Sequence, residues 1–319
     1  MIDKKTPPNH PSKFSLKLLN PKYIIGWIGV ALLYLVSLMP FRLQMAIGRA
    51  IGRFLYILGP KRKEIARVNL EMCFPEKNQN EIEEILKENL INTGVGIIEM
   101  GIAWWSSDRK IDELTIHYKN KEILESNEGI LVLAKHTTHV EIDVRLMSRG
   151  LKMGGMYRPQ KNKIINHIMI NARNKYIEGA FHHKQASQTL DYVRNGKKMI
   201  YAADQDFGSK YSIFVPFFKE MASTITIPHG ISQERFKVVF IKINRKKNGY
   251  EVEAKEIEPK ENQLEFLTNM NKAYTDSIIE SPEQFLWVHR RFKTRPDGGD
   301  VYPIWKSREK RRQNERKSS

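Results

Sequence analysis

His136 and Glu141 are the residues whose types and spacing point first to chemistry. If a helix starts between them, a carboxylate one turn into it can reach back to the imidazole. A carboxylate on one ring nitrogen fixes the tautomer and raises the basicity of the other nitrogen. That nitrogen can then take a proton from a hydroxyl. The bland alternative is a histidine at a strand end and an exposed glutamate. A metal site through His136, His139 and Asp143 is a third reading. It brings no cysteine, and the chain has no HExxH or comparable ligand set. No GxSxG elbow is present, so nothing points to a nucleophilic serine.

The elements around His136 are those that would place such a base. Residues 130–134, Ile-Leu-Val-Leu-Ala, form a short apolar run that predicts a fully buried strand. Thr137 and Thr138 offer N-cap hydroxyls, and Val140, Val144, Leu146 and Met147 carry a helical pattern onward. His136 therefore sits where a buried strand hands over to a helix, the place where ligands bind in open α/β sheets. Further strands are predicted over 114–118, 152–157 and 198–203. Segments 238–244 and 250–256 alternate in polarity and are joined through Asn248-Gly249, a hairpin turn signal. Helices are predicted over 162–175, 184–195 and 261–279, the second closed by Gly196. A long helical pattern starts at Asn80, with Glu81, Glu83 and Glu84 at its positive end, and runs to Trp104-Trp105. The fold class is α/β: a mixed, largely parallel sheet flanked by helices on both faces.

A different pattern precedes that domain. Residues 1–22 form a polar, basic tail, and residues 23–39 are almost wholly apolar and uncharged, ending at Pro40. That run is a little short of the about 20 residues of a comfortable span. Tyr23, Trp27 and Tyr34 suit an interface, and Lys17 and Lys22 can snorkel. No small-residue cleavage site follows it, so 23–40 is expected to be a retained membrane-anchor helix, with a buried core helix as the alternative. Residues 41–58 place Arg42, Arg49 and Arg53 beside an apolar face. That suits either a helix lying on anionic lipid or an ordinary amphipathic helix. Residues 41–305 are expected to form a single α/β domain, and 306–319 a basic C-terminal tail.

Of the 319 residues 53 are basic and 36 acidic, a formal charge of +17 that favours an acidic partner. Nothing in the sequence supports nucleic acid as that partner: no zinc, helix-turn-helix or RNP signature is present, and the apolar 23–39 run opposes it. The single cysteine, Cys73, excludes an internal disulfide and reads as a buried small hydrophobe.

Five blocks, taken in order, resemble the late acyltransferases of lipid A biosynthesis, the lauroyl and myristoyl enzymes within the glycerolipid acyltransferase fold. They are Asn69-Leu-Glu-Met-Cys-Phe-Pro-Glu76; His136 with Glu141; Met156-Tyr-Arg-Pro159 with Asn162; Asp204-Gln-Asp206-Phe-Gly208 leading to Phe214-Val-Pro-Phe217 and Ala222-Ser-Thr224; and the stretch from Trp287 to Pro296. With the N-terminal run they cover nearly the whole chain. The resemblance implies a bacterial inner-membrane enzyme with its catalytic domain facing the cytoplasm. It would move an acyl chain from acyl carrier protein to a hydroxyl of a lipid A precursor, with no cofactor. His136 and Glu141 match the family's histidine–acid pair. Arg158 matches an arginine expected near a phosphate or the reacting thioester. Asp204 and Asp206 match an acidic pair whose separate roles are unassigned. One stretch departs: a clear helix is expected between Thr224 and the next strand, and 227–237 is short and polar.

On this reading His136 is the base toward the acceptor hydroxyl and Glu141 orients it. Substrate contacts fall to Arg158, Asn162, Asp204, Asp206, Arg291 and Arg295, together with an anionic inner membrane. Arg158 offers a planar fork for phosphate, or a structural ion pair. Asp204 and Asp206 have an alternative in turn chemistry beside Gly208. Arg290, Arg291, Lys293 and Arg295 suit lipid phosphate, or a solvated basic helix end. The rivals are an acyltransferase for another phospholipid or glycolipid, and a non-catalytic basic protein binding membrane or nucleic acid.

Overall fold

The computed structural model describes residues 12–182 and 185–302, so the expected tail 306–319 and the first part of the tail 1–22 lie outside the described residues. In chain order the elements are α1 (Ile24–Ser37), α2 (Phe41–Leu58), α3 (Pro60–Cys73), α4 (Gln79–Trp105), α5 (Asp108–Leu114), β1 (Thr115–Lys119), β2 (Ile130–Ala134) and α6 (Val140–Met147). They continue with β3 (Met153–Tyr157), α7 (Lys163–Arg173), β4 (Gly179–His182), α8 (Ala186–Arg194), β5 (Lys198–Tyr201), β6 (Ser212–Phe217) and β7 (Glu220–Ile225). Last come α9 (Ile227–Gln233), β8 (Lys237–Lys246), β9 (Gly249–Glu256) and α10 (Gln263–Glu280).

Seven strands form one sheet in the order β1-β9-β8-β2-β5-β3-β4, and β6 and β7 make a separate antiparallel hairpin. β2 pairs in parallel with both β5 and β8. Only the β8–β9 pair is antiparallel within the large sheet. β2 is central because all five of its side chains are buried. Ile130, Val132 and Ala134 enter one core, with residues of α4, α6 and α7; Leu131 and Leu133 enter the other, with α3 and α10. A strand apolar on both faces can only sit inside a sheet covered on both sides.

α4 is the long brace of the molecule. Asn78 and Glu81 close a capping box at its start, satisfying two otherwise orphaned amides. Leu86 and Leu90 then pack in one core, and Ile98 and Ile102 in the other. At Gly96 an added Cβ would lie 1.8 Å from the carbonyl oxygen of Thr138. The absence of a side chain there lets the loop after β2 rest on the helix backbone.

The expected anchor folds as α1, 14 residues long, or about 21 Å at 1.5 Å per residue, short of a bilayer core of about 30 Å. Among the described residues no helix is long and apolar enough to cross a membrane. One side of α1 packs on α4 and α7, with Val30 and Leu33 buried, while Ile24, Ile25, Ile28, Leu32 and Leu35 are exposed. Gln44 of α2 donates to the carbonyls of Ser37 and Met39, tying the two helices together. The reading of 23–40 as a membrane anchor that could span the bilayer is therefore corrected: the helix is too short to span, and one of its two apolar faces is packed against its own protein.

Three other local readings change. The N-cap of α6 is His139, without a side-chain cap, instead of Thr137 or Thr138. The stretch after Thr224 does hold a helix, α9, of seven residues, because Pro228 starts it and Ile231 is buried beneath it. The hairpin β6–β7 and strand β4 had no strand prediction; β4 is four residues long, too short for a periodicity. Cys73 is buried and free, as expected.

Candidate functional site

β2 and β5 are parallel neighbours, so their C-terminal ends lie side by side. His136 follows β2 and Asp204 follows β5. One carboxylate oxygen of Asp204 accepts from the backbone N–H of His136 at 2.6 Å, and the other lies 2.6 Å from His136 Nδ1. The Asp204 side chain is fully buried, while that of His136 keeps 27% of its surface exposed. Among the described residues no hydrogen bond engages Nε2, which is left as the working nitrogen. Burial opposes the charged form of each group, yet each outweighs that for the other: His136 is held above the usual histidine range and Asp204 below the usual aspartate range.

The loop carrying His136 is pinned from the C-terminal side. Thr137 makes a single antiparallel bridge with Phe285. The N–H of Thr138 donates to the Gln284 carbonyl at 2.8 Å, and that of Leu286 to the His136 carbonyl at 3.0 Å. Asn89 of α4 donates to the carbonyls of Glu283 and Phe285. Asn69 of α3 donates to those of Trp287 and His289, and accepts from the Tyr302 hydroxyl. The first and last of the five sequence blocks thus clamp one another behind the histidine. His289 lies close enough to His136 to feel its charge: burial, and next that charge, push it down to about 4.

Glu141 does not reach back to His136. Its carboxylate accepts from Trp104 Nε1 at 3.0 Å and from Arg173 Nε at 3.2 Å, and Arg173 Nη2 binds its other oxygen. The physical reason lies in where α6 begins. With His139 as N-cap, Glu141 falls in the first turn and its side chain meets α4 and α7, on the far side of the loop from Asp204. Both side chains of the Glu141–Arg173 pair are almost buried.

The metal reading fares no better on its donors. His139 is buried, with Nδ1 at 2.6 Å from Asp143 and Nε2 at 3.1 Å from Gln284 Oε1. Thr137 Oγ1 donates to the other Asp143 oxygen. His136 turns toward Asp204 instead, and among the described residues no group of three acids, histidines or cysteines could hold a metal ion.

The expected substrate-binding residues divide. Arg158 follows β3, is exposed, and makes no ion pair among the described residues. It sits at the same sheet end as His136, two strands away, or about 10 Å at the usual strand spacing. Asn162 is the N-cap of α7, accepting from the amides of Ile164 and Ile165. Asp206 accepts from the amides of Gly208 and Thr294 and from the Thr294 hydroxyl. That is turn chemistry, with Gly208 at φ +84°. Arg291 is buried: its guanidinium lies over the Phe217 ring and donates to the Ser223 carbonyl. Burial removes it from any substrate reachable in this conformation. Arg295 pairs with Glu220 at 3.0 Å. The arginines of the closing block are thus used internally at 291 and 295, and that block is an irregular loop instead of a basic helix end.

The sequence reading missed Arg173, Trp104 and Asn69 as positioning residues, and Ser277, which receives the buried Lys135 ammonium at 2.7 Å. The helix predicted over 162–175 included Arg173, but nothing in it named Glu141 as its partner.

The sequence pattern of the family described as bacterial lipid A biosynthesis acyltransferase matches residues 12–294. The chain is 30% identical over 296 residues to a lipid A biosynthesis lauroyltransferase of Escherichia coli (strain K12), covering 90% of this chain and 97% of that one. It is 31% identical over 297 residues to a lipid A biosynthesis palmitoleoyltransferase of the same strain, covering 90% and 96%. It is 28% identical over 326 residues to the strain's lipid A biosynthesis myristoyltransferase, covering 95% and 100%.

Proposed function

Since the chain belongs to the bacterial lipid A biosynthesis acyltransferases, we propose that it moves a fatty acyl chain from an acyl carrier protein thioester to a hydroxyl of a lipid A precursor, with His136 as the general base. The observation that carries this reading is the His136–Asp204 pair at the joined ends of β2 and β5. The chemistry asked of the protein is modest: a thioester is already activated, so the enzyme must supply a base, a position and charge stabilisation.

In this scheme Asp204 holds His136 through Nδ1, and Nε2 takes the proton of the acceptor hydroxyl. The oxygen attacks the thioester carbonyl, and the carbon–sulfur bond breaks as the tetrahedral intermediate collapses. The imidazolium returns its proton to the departing thiolate. Asp204 stabilises that imidazolium, and a base of this kind contributes about 10²–10⁴-fold. Glu141, sequestered by Arg173 and Trp104, fixes α6 and so the loop between Lys135 and His139. Arg158 is the free guanidinium at the same sheet end and is suited to a phosphate of the acceptor.

The acceptor is a lipid, and the exposed stripe of α1 offers the surface on which to meet it. Ile25 is 81% exposed and Leu32 58%. A helix that packs one apolar face on the protein and presents another outward, with Lys17, Lys22 and Arg42 near its ends, suits lying in the headgroup region of an anionic membrane, on its cytoplasmic side. The test is incubation of the purified full chain with labelled acyl carrier protein thioesters and a lipid A precursor in mixed micelles. Mass spectrometry should find the acceptor heavier by one acyl chain, dependent on His136. Acylation of a simple phospholipid in preference to the precursor would overturn the acceptor assignment.

A further inference from the structure

A polar cavity lies near the α1 stripe, beside the loop that follows β3. It has a volume of about 230 Å³ and is walled by Ser12, Lys13 and Ser15 on one side and by Gln160, Lys163 and Asn166 on the other. We propose that it binds the phosphate of a lipid headgroup, with Lys13 and Lys163 supplying the charge. The inference rests on reading the outer stripe of α1 as lipid-facing.

The charge is uncompensated. No carboxylate lines the cavity. Both lysines are exposed, and neither makes an ion pair among the described residues. No carboxylate occurs in the sequence between Asp3 and Glu64, or between Asp143 and Glu178, the two stretches that build this corner. Such a corner holds a positive potential over more than a single side chain.

The walls are fixed before any ligand arrives. The N–H of Ser12 donates to Asn171 Oδ1 at 3.1 Å, and Asn171 Nδ2 donates to the Ser12 carbonyl at 3.1 Å. The Ser12 hydroxyl lies 3.0 Å from Nδ1 of His167. The N–H of Gln160 donates to Asn166. The amides of Ile164 and Ile165 are already taken by Asn162, so the two ammonium groups, with the Ser15 hydroxyl and the side-chain amides of Gln160 and Asn166, are the donors offered here. Ordering the walls in advance lowers the cost of binding.

The surroundings select a lipid over a soluble anion. Leu18 lines the cavity and packs with Val30 of α1 and Ile164 of α7. Phe14 is 54% exposed and packs edge-on against His167. Ile24, Ile25 and Ile28 continue that apolar surface outward. A ligand with a charged head and an apolar tail fits both parts at once. Gln160 follows Arg158 by two residues, so the cavity opens at the same sheet end as the reacting groups.

The experiment uses the full chain and three arms. Phosphatidylcholine vesicles with and without phosphatidic acid are sedimented with wild type, K13Q/K163Q, K13R/K163R and K247Q/K255Q. Lys247 and Lys255 are exposed lysines of the β8–β9 hairpin, in the other half of the sheet. The third arm is equilibrium dialysis with inorganic phosphate. The gain from phosphatidic acid should fall about tenfold or more in K13Q/K163Q, persist in K13R/K163R, and change little in K247Q/K255Q. An equal loss in both glutamine pairs would overturn the site in favour of general surface charge. Tight phosphate binding in dialysis with no lysine-dependent vesicle effect would overturn the lipid source. No arm measures acyl transfer, so failure of the proposed reaction would be seen separately.

Discussion

Asp204 holds His136 twice, at the backbone N–H and at Nδ1, both at 2.6 Å. The pairing raises the imidazole above its ordinary value of about 6.5 and depresses the carboxyl below about 3.9. A base must be neutral to act. The acid limb of kcat/KM is therefore expected above pH about 6.5 in the wild type, and lower in Asp204→Asn, where the raising partner is gone. A rate profile across pH for the two proteins checks this. The stability contribution has its own window. It is complete above the unfolded aspartate's value and below the unfolded histidine's, between about 3.9 and 6.5. It fades as pH rises through the raised value of His136, and as pH falls through the lowered value of Asp204.

Glu141→Ala is expected to act mainly on folding. It leaves Arg173 charged and almost buried without its carboxylate, and breaking such a pair costs about 3–5 kcal/mol. Denaturant unfolding should show that loss, and Glu141→Leu with Arg173→Met should recover part of it. A folded, fully stable Glu141→Ala with no turnover would return Glu141 to the chemistry.

Gly96→Ala tests the seat of the catalytic loop. The added methyl would sit 1.8 Å from the Thr138 carbonyl oxygen, so helix or loop must move. The expected cost is about 1–3 kcal/mol in unfolding, with a fall in kcat from a displaced His136. Gly230→Ala, whose added Cβ meets nothing within 4 Å, is the matched control.

Arg158→Ala should raise KM for the acceptor while leaving thermal unfolding close to wild type, because the side chain is exposed and makes no ion pair among the described residues. Arg158→Lys should restore only part, since an ammonium lacks the two-pronged fork. Steady-state kinetics with varied acceptor reads both.

What was legible in the sequence was what local pattern determines. The run 130–134 became β2 residue for residue, Asn248-Gly249 became the β8–β9 turn, and the long pattern to Trp105 became α4. His136 was legible as a strand-end histidine. Its partner was not, because Asp204 is 68 residues away and only the strand order makes β2 and β5 neighbours. Spacing favoured Glu141, which is near in sequence but faces Arg173. Arg291 looked like a surface cation for the same reason: burial against Phe217 depends on the hairpin β6–β7, whose strands were not foreseen. The apolar run 23–39 was read as a membrane anchor, but its inner face is matched by α4 and α7, which no single-segment hydropathy can reveal.

The most direct measurement is acyl transfer by His136→Ala, Asp204→Ala, the double variant and Glu141→Gln, each checked for folding by thermal unfolding. If His136 and Asp204 act as one unit, each single variant should lose about 10²-fold or more, and the double variant little beyond that. Glu141→Gln, when folded, should keep far more activity than Asp204→Ala. Near-normal turnover by a folded Asp204→Ala, with a large loss in a folded Glu141→Gln, would contradict the account.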